Sequence, residues 1–258
     1  MNVVFLLGHE ISYSSSPAMQ NAAFGALGMD WSYELLDVAP AALAEAVGRL
    51  REDGVRGANV TIPHKQAVME HLDAIDDAAL RARAVNTIVH DGGRLEGHNT
   101  DIEAIRRTAE RLGVAARGAQ AVILGAGGAA RATAQALEGS HLTFVTRHPS
   151  NANVPGRTIG WNDPGVVALT RAADVLVNAT PLGRREEMPL RPAALPKQGA
   201  VIDLVYVTGG TALVRKARSV GLRVADGWEI LLEQGAAAFE LWTGKSAPRD
   251  AMRETLRP

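Results

Sequence analysis

The sequence contains no cysteine, which excludes disulfides, thiolate chemistry and cysteine-ligated metals and fits a reducing compartment. Neither sign of charge is in excess: 27 Lys and Arg stand against 28 Asp and Glu, a formal net charge of −1. That balance gives no sign of a polyanion-binding surface or an acidic tail, so nucleic acid is not an expected partner. No run approaches the roughly 18 apolar residues of a membrane span. The N-terminal stretch VVFLLG is too short for a signal sequence and lacks a basic lead-in. The expectation is a soluble, cytoplasmic protein with no membrane partner. Of the seven histidines, His64 and His71 share a predicted helix face but have no acidic or histidine companion three or four residues on, so no metal is expected.

What is present is alternation. With 258 residues the chain can bury two modest cores. Short apolar runs (VVFLL, WSYELL, GANVTI, NTIVH, AVILG, LTFVT, DVLVNA, AVIDLVY, LRVAD) are separated by alanine-rich helical stretches, the pattern of an α/β protein with largely parallel sheets. Around Asp91-Gly92-Gly93 two short runs instead predict a hairpin. The stretch NTDIEAIRRTAERLGV predicts a helix closed by a glycine, and the domain boundary is placed there, near residue 101. A last helix from about Trp228 to Trp242 has no strand after it and is expected to return to the first domain. The division is 1–101 with 227–258 for one domain and 102–226 for the other.

The second domain opens on AVILGAGGAARATAQAL, in which Gly125, Gly127 and Ala130 occupy a G-x-G-x-x-A between a buried strand and a helix. Glycines there allow a tight turn and close backbone approach, and the helix N-terminus can hold a pyrophosphate. The next strand ends Thr146, Arg147, His148, with no carboxylate for a ribose 2′-hydroxyl. Either Arg147 binds a 2′-phosphate, favouring NADP, or it is a solvated arginine at a loop start. The proline and asparagines that follow argue against a crossover helix.

In the first domain Ser14, Ser15 and Ser16 precede Pro17. Ser16 reads as an N-cap, and the three hydroxyls can equally form a neutral pocket for a carboxylate. Lys65 falls near the start of a predicted helix, HKQAVMEHLDAI, where a cation opposes the helix dipole; it is functional or simply solvated. Asn59 and Thr61 alternate on one strand face. Asp101 begins a helix, where aspartate commonly caps, and Gln234 sits within an apolar helix face, to be satisfied by the core or by a ligand.

Taken together, SYSSSP, GANVTIPHK, AVNT, GHNTD, GAGGAA, VNATPLG and DGWEILLEQGAAAFELWTG resemble the shikimate dehydrogenase family in order and spacing, from near residue 8 to about residue 246. The resemblance implies an N-terminal α/β substrate domain, a Rossmann-type NADP-binding domain and an active site in the cleft between them. It implies reversible reduction of 3-dehydroshikimate to shikimate with NADPH, a step of aromatic amino-acid biosynthesis, with a homodimer compatible. By matching motif, Lys65 is the proton donor and acceptor and Asp101 its partner. Ser14 and Ser16 bind the substrate carboxylate, Asn59, Thr61, Asn86 and Gln234 its other oxygens, and Tyr206 closes the pocket. Gly125, Ala126, Gly127, Gly128 and Ala129 form the pyrophosphate loop, Thr146 and Arg147 recognise the adenosine phosphate, Leu204 and Gly227 meet the nicotinamide end, and Asp77 lies near it.

The chain departs from the family pattern in three places. Ile102 replaces a glycine after Asp101, the adenosine loop has one arginine with no further base until Arg157, and Gly210 and Ala212 replace prolines around Thr211. The single arginine keeps open a quinate/shikimate dehydrogenase with relaxed or NAD preference. From another class, a non-catalytic ligand-binding regulator has the same cleft but little need of a proton donor.

Overall fold

The computed structural model describes residues 2–256. The described residues form two compact units, one from 2–100 with 232–256 and one from 101–231. By contacts the division falls after Thr100 and the chain returns to the first unit at Leu232.

The first unit opens with β1 (Asn2–Gly8), α1 (Ser16–Ala26), β2 (Trp31–Asp37), α2 (Leu43–Arg49) and β3 (Val55–Val60). It continues through β4 (Ala74–Ile75), α3 (Asp77–Ala82), β5 (Thr87–Asp91) and β6 (Arg94–His98). The sheet order is β2-β1-β3-β5-β6-β4, parallel across β2, β1 and β3 and antiparallel from β3 through β6. Gly57 to Val60 are buried without interruption on β3, as expected of a strand covered on both faces. Leu7, Val47, Leu50, Ala58, Ile88 and Leu95 share its core. The predicted hairpin forms β5 and β6, and Gly92 and Gly93 turn it with φ of 55° and 85°, the backbone a two-residue type I′ turn requires.

The helix expected over 64–75 does not form. Only a 3₁₀ turn, Ala67–His71, is found in that stretch. Beyond it the chain is extended because β4 pairs with β6: the N–H groups of Asp73 and Asp76 donate to the carbonyls of Leu95 (3.0 Å) and Gly97 (2.9 Å). Lys65 therefore does not stand at an α-helix N-terminus, and the dipole argument for it falls; long-range pairing has overridden local propensity.

Helix α4 (Thr100–Arg111) leads into the second unit and ends at Gly113, whose φ is 68°. There follow β7 (Gln120–Leu124), α5 (Gly128–Ala136), β8 (His141–Thr146), β9 (Arg157–Gly160), α6 (Val166–Ala172), β10 (Val175–Asn178), β11 (Ala200–Asp203), α7 (Ala212–Ser219) and β12 (Arg223–Ala225). The strands are all parallel in the order β12-β11-β10-β7-β8-β9, the doubly wound dinucleotide-binding arrangement. β10 and β11 are buried throughout. Between β8 and β9 there is a 3₁₀ turn, Pro149–Asn151, and no crossover helix, as the proline and asparagines imply.

Helix α8 (Gly227–Thr243) begins in the second unit, where Ile230 joins the core and Glu229 pairs with Arg111. Its later turns, with α9 (Arg249–Thr255), pack in the first unit: Phe239 meets Phe24 at 5.4 Å and Trp242 Nε1 donates to the Ile88 carbonyl at 2.9 Å. Among the described residues no helix is long and apolar enough to cross a membrane.

Gly57 makes the Trp242 bond accessible. Its φ is 143°, and a Cβ there would collide with the Ile88 carbonyl oxygen and come within 2.8 Å of Trp242 Nε1. Gly57→Ala is expected to cost about 3 kcal/mol from backbone strain and clash, read as a lowered urea midpoint with unchanged slope.

Candidate active-site residues

A buried polar network in the first unit carries two of the expected substrate-binding residues, Asn59 and Asn86. Tyr33, on β2, donates its hydroxyl to Asn59 Oδ1 at 2.8 Å. The Asn59 amide nitrogen donates to the Asn86 carbonyl (3.1 Å) and to Thr87 Oγ1 (3.0 Å). Both amide hydrogens of Asn59 are thus committed, and one lone pair of Oδ1 remains for a ligand. Burial pushes the Tyr33 phenol well above its usual range, partly offset by the Ser16 hydroxyl facing it, so Tyr33 is a neutral donor at all physiological pH.

Asn86 is the hub. Its Oδ1 accepts the Thr100 N–H at 2.8 Å, the Thr87 hydroxyl at 3.0 Å and the Thr100 hydroxyl at 3.2 Å. A backbone N–H donor settles which end of the amide is oxygen, leaving the NH2 to donate elsewhere. The Asn86 carbonyl accepts Val60 N–H (2.7 Å), its N–H reaches the His98 carbonyl (3.0 Å), and the neighbouring Val85 N–H donates to the Lys65 carbonyl (2.8 Å). Asn99 Nδ2 adds a bond to the Ala84 carbonyl (2.8 Å). The backbones at Lys65 and Thr100 are therefore held by adjacent residues, and Asp101 is the next residue along the chain. Thr61 follows β3 directly, with its N–H on the Leu7 carbonyl at 2.9 Å.

At α1, Ser16 is the first helical residue and not the cap. Ser15 occupies the flanking position with no side-chain cap bond. Ser14 Oγ instead accepts the Ser16 N–H at 3.2 Å, which accounts for one hydroxyl structurally and leaves its proton available. Gln234 is partly buried on α8 and adjoins Gly235, whose carbonyl accepts Gln20 Nε2 at 2.9 Å. Asp77 is exposed in the first turn of α3, beside the true cap Asp76, which accepts Ala79 N–H at 2.6 Å.

In the second unit Gly125 has φ 107°, and a Cβ there would press on the Ala179 carbonyl at 3.0 Å. Gly127 flanks α5, whose N-terminus no side chain caps, and a Cβ on Gly127 would meet nothing. Gly125, Ala126, Gly128 and Ala129 are partly exposed and Gly127 exposed, while Ala130 is buried under them. Free N–H groups, the dipole and open space before the loop suit a pyrophosphate. Thr146 is buried and Arg147 exposed at the end of β8.

Leu204, expected at the nicotinamide end, and Tyr206, expected to close the substrate pocket, follow directly on a carboxylate to which sequence patterning does not point. Asp203, fully buried at the end of β11, accepts the Thr211 hydroxyl (2.6 Å), the Val205 N–H (3.0 Å) and Asn178 Nδ2 (2.9 Å). Tyr206 lies against Trp228 at 4.9 Å, and a Cβ on Gly227 would strike the backbone of Val205 and Tyr206. Asp203 pins the loop and Gly227 lets α8 start against it. Its only local signal is a carboxylate closing an otherwise apolar strand, AVID.

Burial pushes the Asp203 carboxyl up despite its three donors. Between the unfolded value of about 3.9 and the folded one, the native state holds the extra proton, so this group's contribution to stability falls as pH rises through that window. The stability of Asp203→Asn relative to the wild type is expected to increase with pH just above the normal aspartate range, measured by urea unfolding at stepped pH.

A family model for the shikimate dehydrogenase substrate binding domain matches residues 6–88, and one for the shikimate 5′-dehydrogenase C-terminal domain matches residues 227–257. The chain is 44% identical to a shikimate dehydrogenase (NADP(+)) of Moorella thermoacetica over a 272-residue alignment spanning 99% of this chain and 92% of that protein. The crystal structure of shikimate 5-dehydrogenase from Thermus thermophilus in complex with NADP(H) and shikimate is similar with a TM-score of 0.89 at 37% identity, covering 99% and 98% of the two chains. A ligand-free 5-ketofructose reductase of a Gluconobacter species shares the fold at a TM-score of 0.87 and 30% identity, covering 99% and 97%, so the fold by itself does not choose the carbonyl substrate. Identity of 44% along nearly the whole length, on top of the matched domain models, does distinguish the lineage: this chain belongs to the shikimate dehydrogenase family.

Proposed function

We propose that the chain catalyses the reversible, NADPH-dependent reduction of 3-dehydroshikimate to shikimate. The observation that carries this reading is the Asn86 network, which holds the backbones at Lys65 and next to Asp101 by consecutive residues within a chain of this family. The first unit is the substrate-binding domain and the second the NADP-binding domain.

The residues of the second unit fit a dinucleotide. An uncapped α5 N-terminus behind a glycine with open space before it takes the pyrophosphate, through Gly125 to Ala129. Thr146 and Arg147 take the 2′-phosphate, which the guanidinium can bind in bidentate fashion. Leu204 and Gly227 border the nicotinamide end. When bound, the reduced cofactor supplies the hydride.

The chain's own residues supply the proton and the orientation. Lys65 gives a proton from its ammonium to the substrate carbonyl oxygen as that oxygen gains negative charge, and takes it back from the hydroxyl in the oxidation direction. Asp101 accepts a hydrogen bond from the same hydroxyl. The hydroxyls of Ser14 and Ser16 bind the carboxylate; the Asn86 NH2, Gln234, Thr61 and the remaining lone pair of Asn59 bind the ring oxygens, and Tyr206 covers the substrate. The enzyme is cytoplasmic, and a homodimer is the assembly to look for by light scattering. A second reading, a quinate/shikimate enzyme with relaxed or NAD preference, is favoured only by the single base, Arg147, in the adenosine loop.

With shikimate and NADP, the purified chain should generate the near-ultraviolet absorbance of reduced nicotinamide. Lys65→Ala should lower kcat by about 10²–10⁴-fold, the usual worth of a positioned proton donor, and full turnover in that variant would refute the assignment. Tight binding of both ligands with no oxidation would favour a non-catalytic regulator. Arg147→Ala should raise KM for NADP by about ten-fold while leaving KM for NAD unchanged, since about 1.4 kcal/mol of phosphate recognition is lost from one cofactor only. Equal effects on both would place Arg147 outside phosphate recognition.

A further inference from the structure

Gln20 lies one turn beyond Ser16 on α1 and is wholly buried. Its Nε2 donates to the Gly235 carbonyl at 2.9 Å, which fixes the amide orientation, because a carbonyl can only accept. No protein group meets its Oε1. A buried amide oxygen must capture a water or go unmet, at a cost of about 1–3 kcal/mol if unmet. A methionine would fill the same space without that cost, so packing alone does not account for an amide here.

What the amide provides is a polar anchor on α8 next to Gln234. The two helices touch at this point: a Cβ on Gly235 would overlap Met19 Cε and reach Gln20 Nε2 at 3.3 Å. Two further anchors of α8 in the first unit lie later in the helix, at Phe239 on Phe24 and Trp242 on the Ile88 carbonyl. At 1.5 Å per residue Trp242 is about 12 Å from Gln234, whereas the Gln20 bond grips the very next residue. Arg249 of α9 also reaches Glu233, one residue before Gln234, but through a 3.4 Å contact between partly exposed side chains; the Gln20 bond, at 2.9 Å to a backbone carbonyl, is the buried grip on the turn that carries Gln234.

We propose that Gln20 is a positioning residue: it sets the height and rotation of α8 against α1, so that Gln234 and the Ser14 and Ser16 hydroxyls address one substrate at a fixed separation. The proposal rests on the reading of Gln234 and the serines as substrate-binding groups.

Full-length Gln20→Met, Gln20→Leu, Gln234→Ala and the Gln20→Met/Gln234→Ala double variant test it, by thermal melting and by kinetics with shikimate and NADP. Gln20→Met should melt at or above the wild-type temperature, yet raise KM for shikimate about ten-fold with kcat within about two-fold and KM for NADP unchanged. The effect of Gln234→Ala should shrink in the Gln20→Met background. A lowered melting temperature with unchanged shikimate KM would make Gln20 a purely structural residue and overturn the proposal. So would loss of a cooperative melt in both Gln20 variants. If Gln234→Ala alone leaves shikimate KM unchanged, the underlying reading of Gln234 fails and the proposal with it. If Gln234→Ala raises KM and the Gln20 variants do not, the proposal alone fails.

Discussion

One amide oxygen, Oδ1 of Asn86, receives a backbone N–H and two hydroxyls from residues on either side of the β5–β6 hairpin. The same residue's carbonyl and N–H tie β3 to β6. Most of what else the first unit does follows from this. The end of β3, the turn carrying Lys65 and the start of α4 would otherwise be loop ends with unsatisfied backbone groups; Asn86 and its neighbour Val85 satisfy them together and set where they stand. Because its side-chain partners Asn59, Thr87 and Thr100 are buried, the network is intolerant: losing one member leaves several polar groups unpaired in a low-dielectric interior.

The second unit is readable from the sequence because its signals are local. A buried strand, a glycine turn and a helix are adjacent in AVILGAGGAA, and a proline with asparagines beside Arg147 suffices to remove a crossover helix. Gly92-Gly93 announces its hairpin for the same reason. Residues 64–75 mislead because the competing interaction, β4 on β6, lies about twenty residues away and no propensity encodes it. The cap at α1 falls one residue away from the expected serine because Ser14 offers its oxygen to the Ser16 N–H, an alternative equally open to any of three consecutive serines.

The site residues divide along similar lines. Alternation on β3 shows Asn59 and Thr61 on one face, but not that Tyr33, Asn86 and Thr87 already occupy most of the Asn59 amide. Asp203 and Gln20 carry no such signal, since what distinguishes each is a partner remote in sequence: Asn178 for one, Gly235 for the other. A polar residue in an apolar stretch is readable as an anomaly; the contact that explains it belongs to the fold.

The helix missing between β8 and β9 has an evolutionary side. Arg147, His148 and the residues up to Asn153 belong to no α-helix and are largely exposed, so exchanges there fall in the class of surface changes worth within about ±0.5 kcal/mol of stability. In most doubly wound proteins the same positions would open a helix and carry its capping and packing. Here the segment proposed to meet the adenosine phosphate can change almost independently of folding. The proposed coenzyme-selecting residues can thus be exchanged at little cost in stability, while the carboxylate at Asp203 and the amide at Asn86, each bound to several buried partners, cannot.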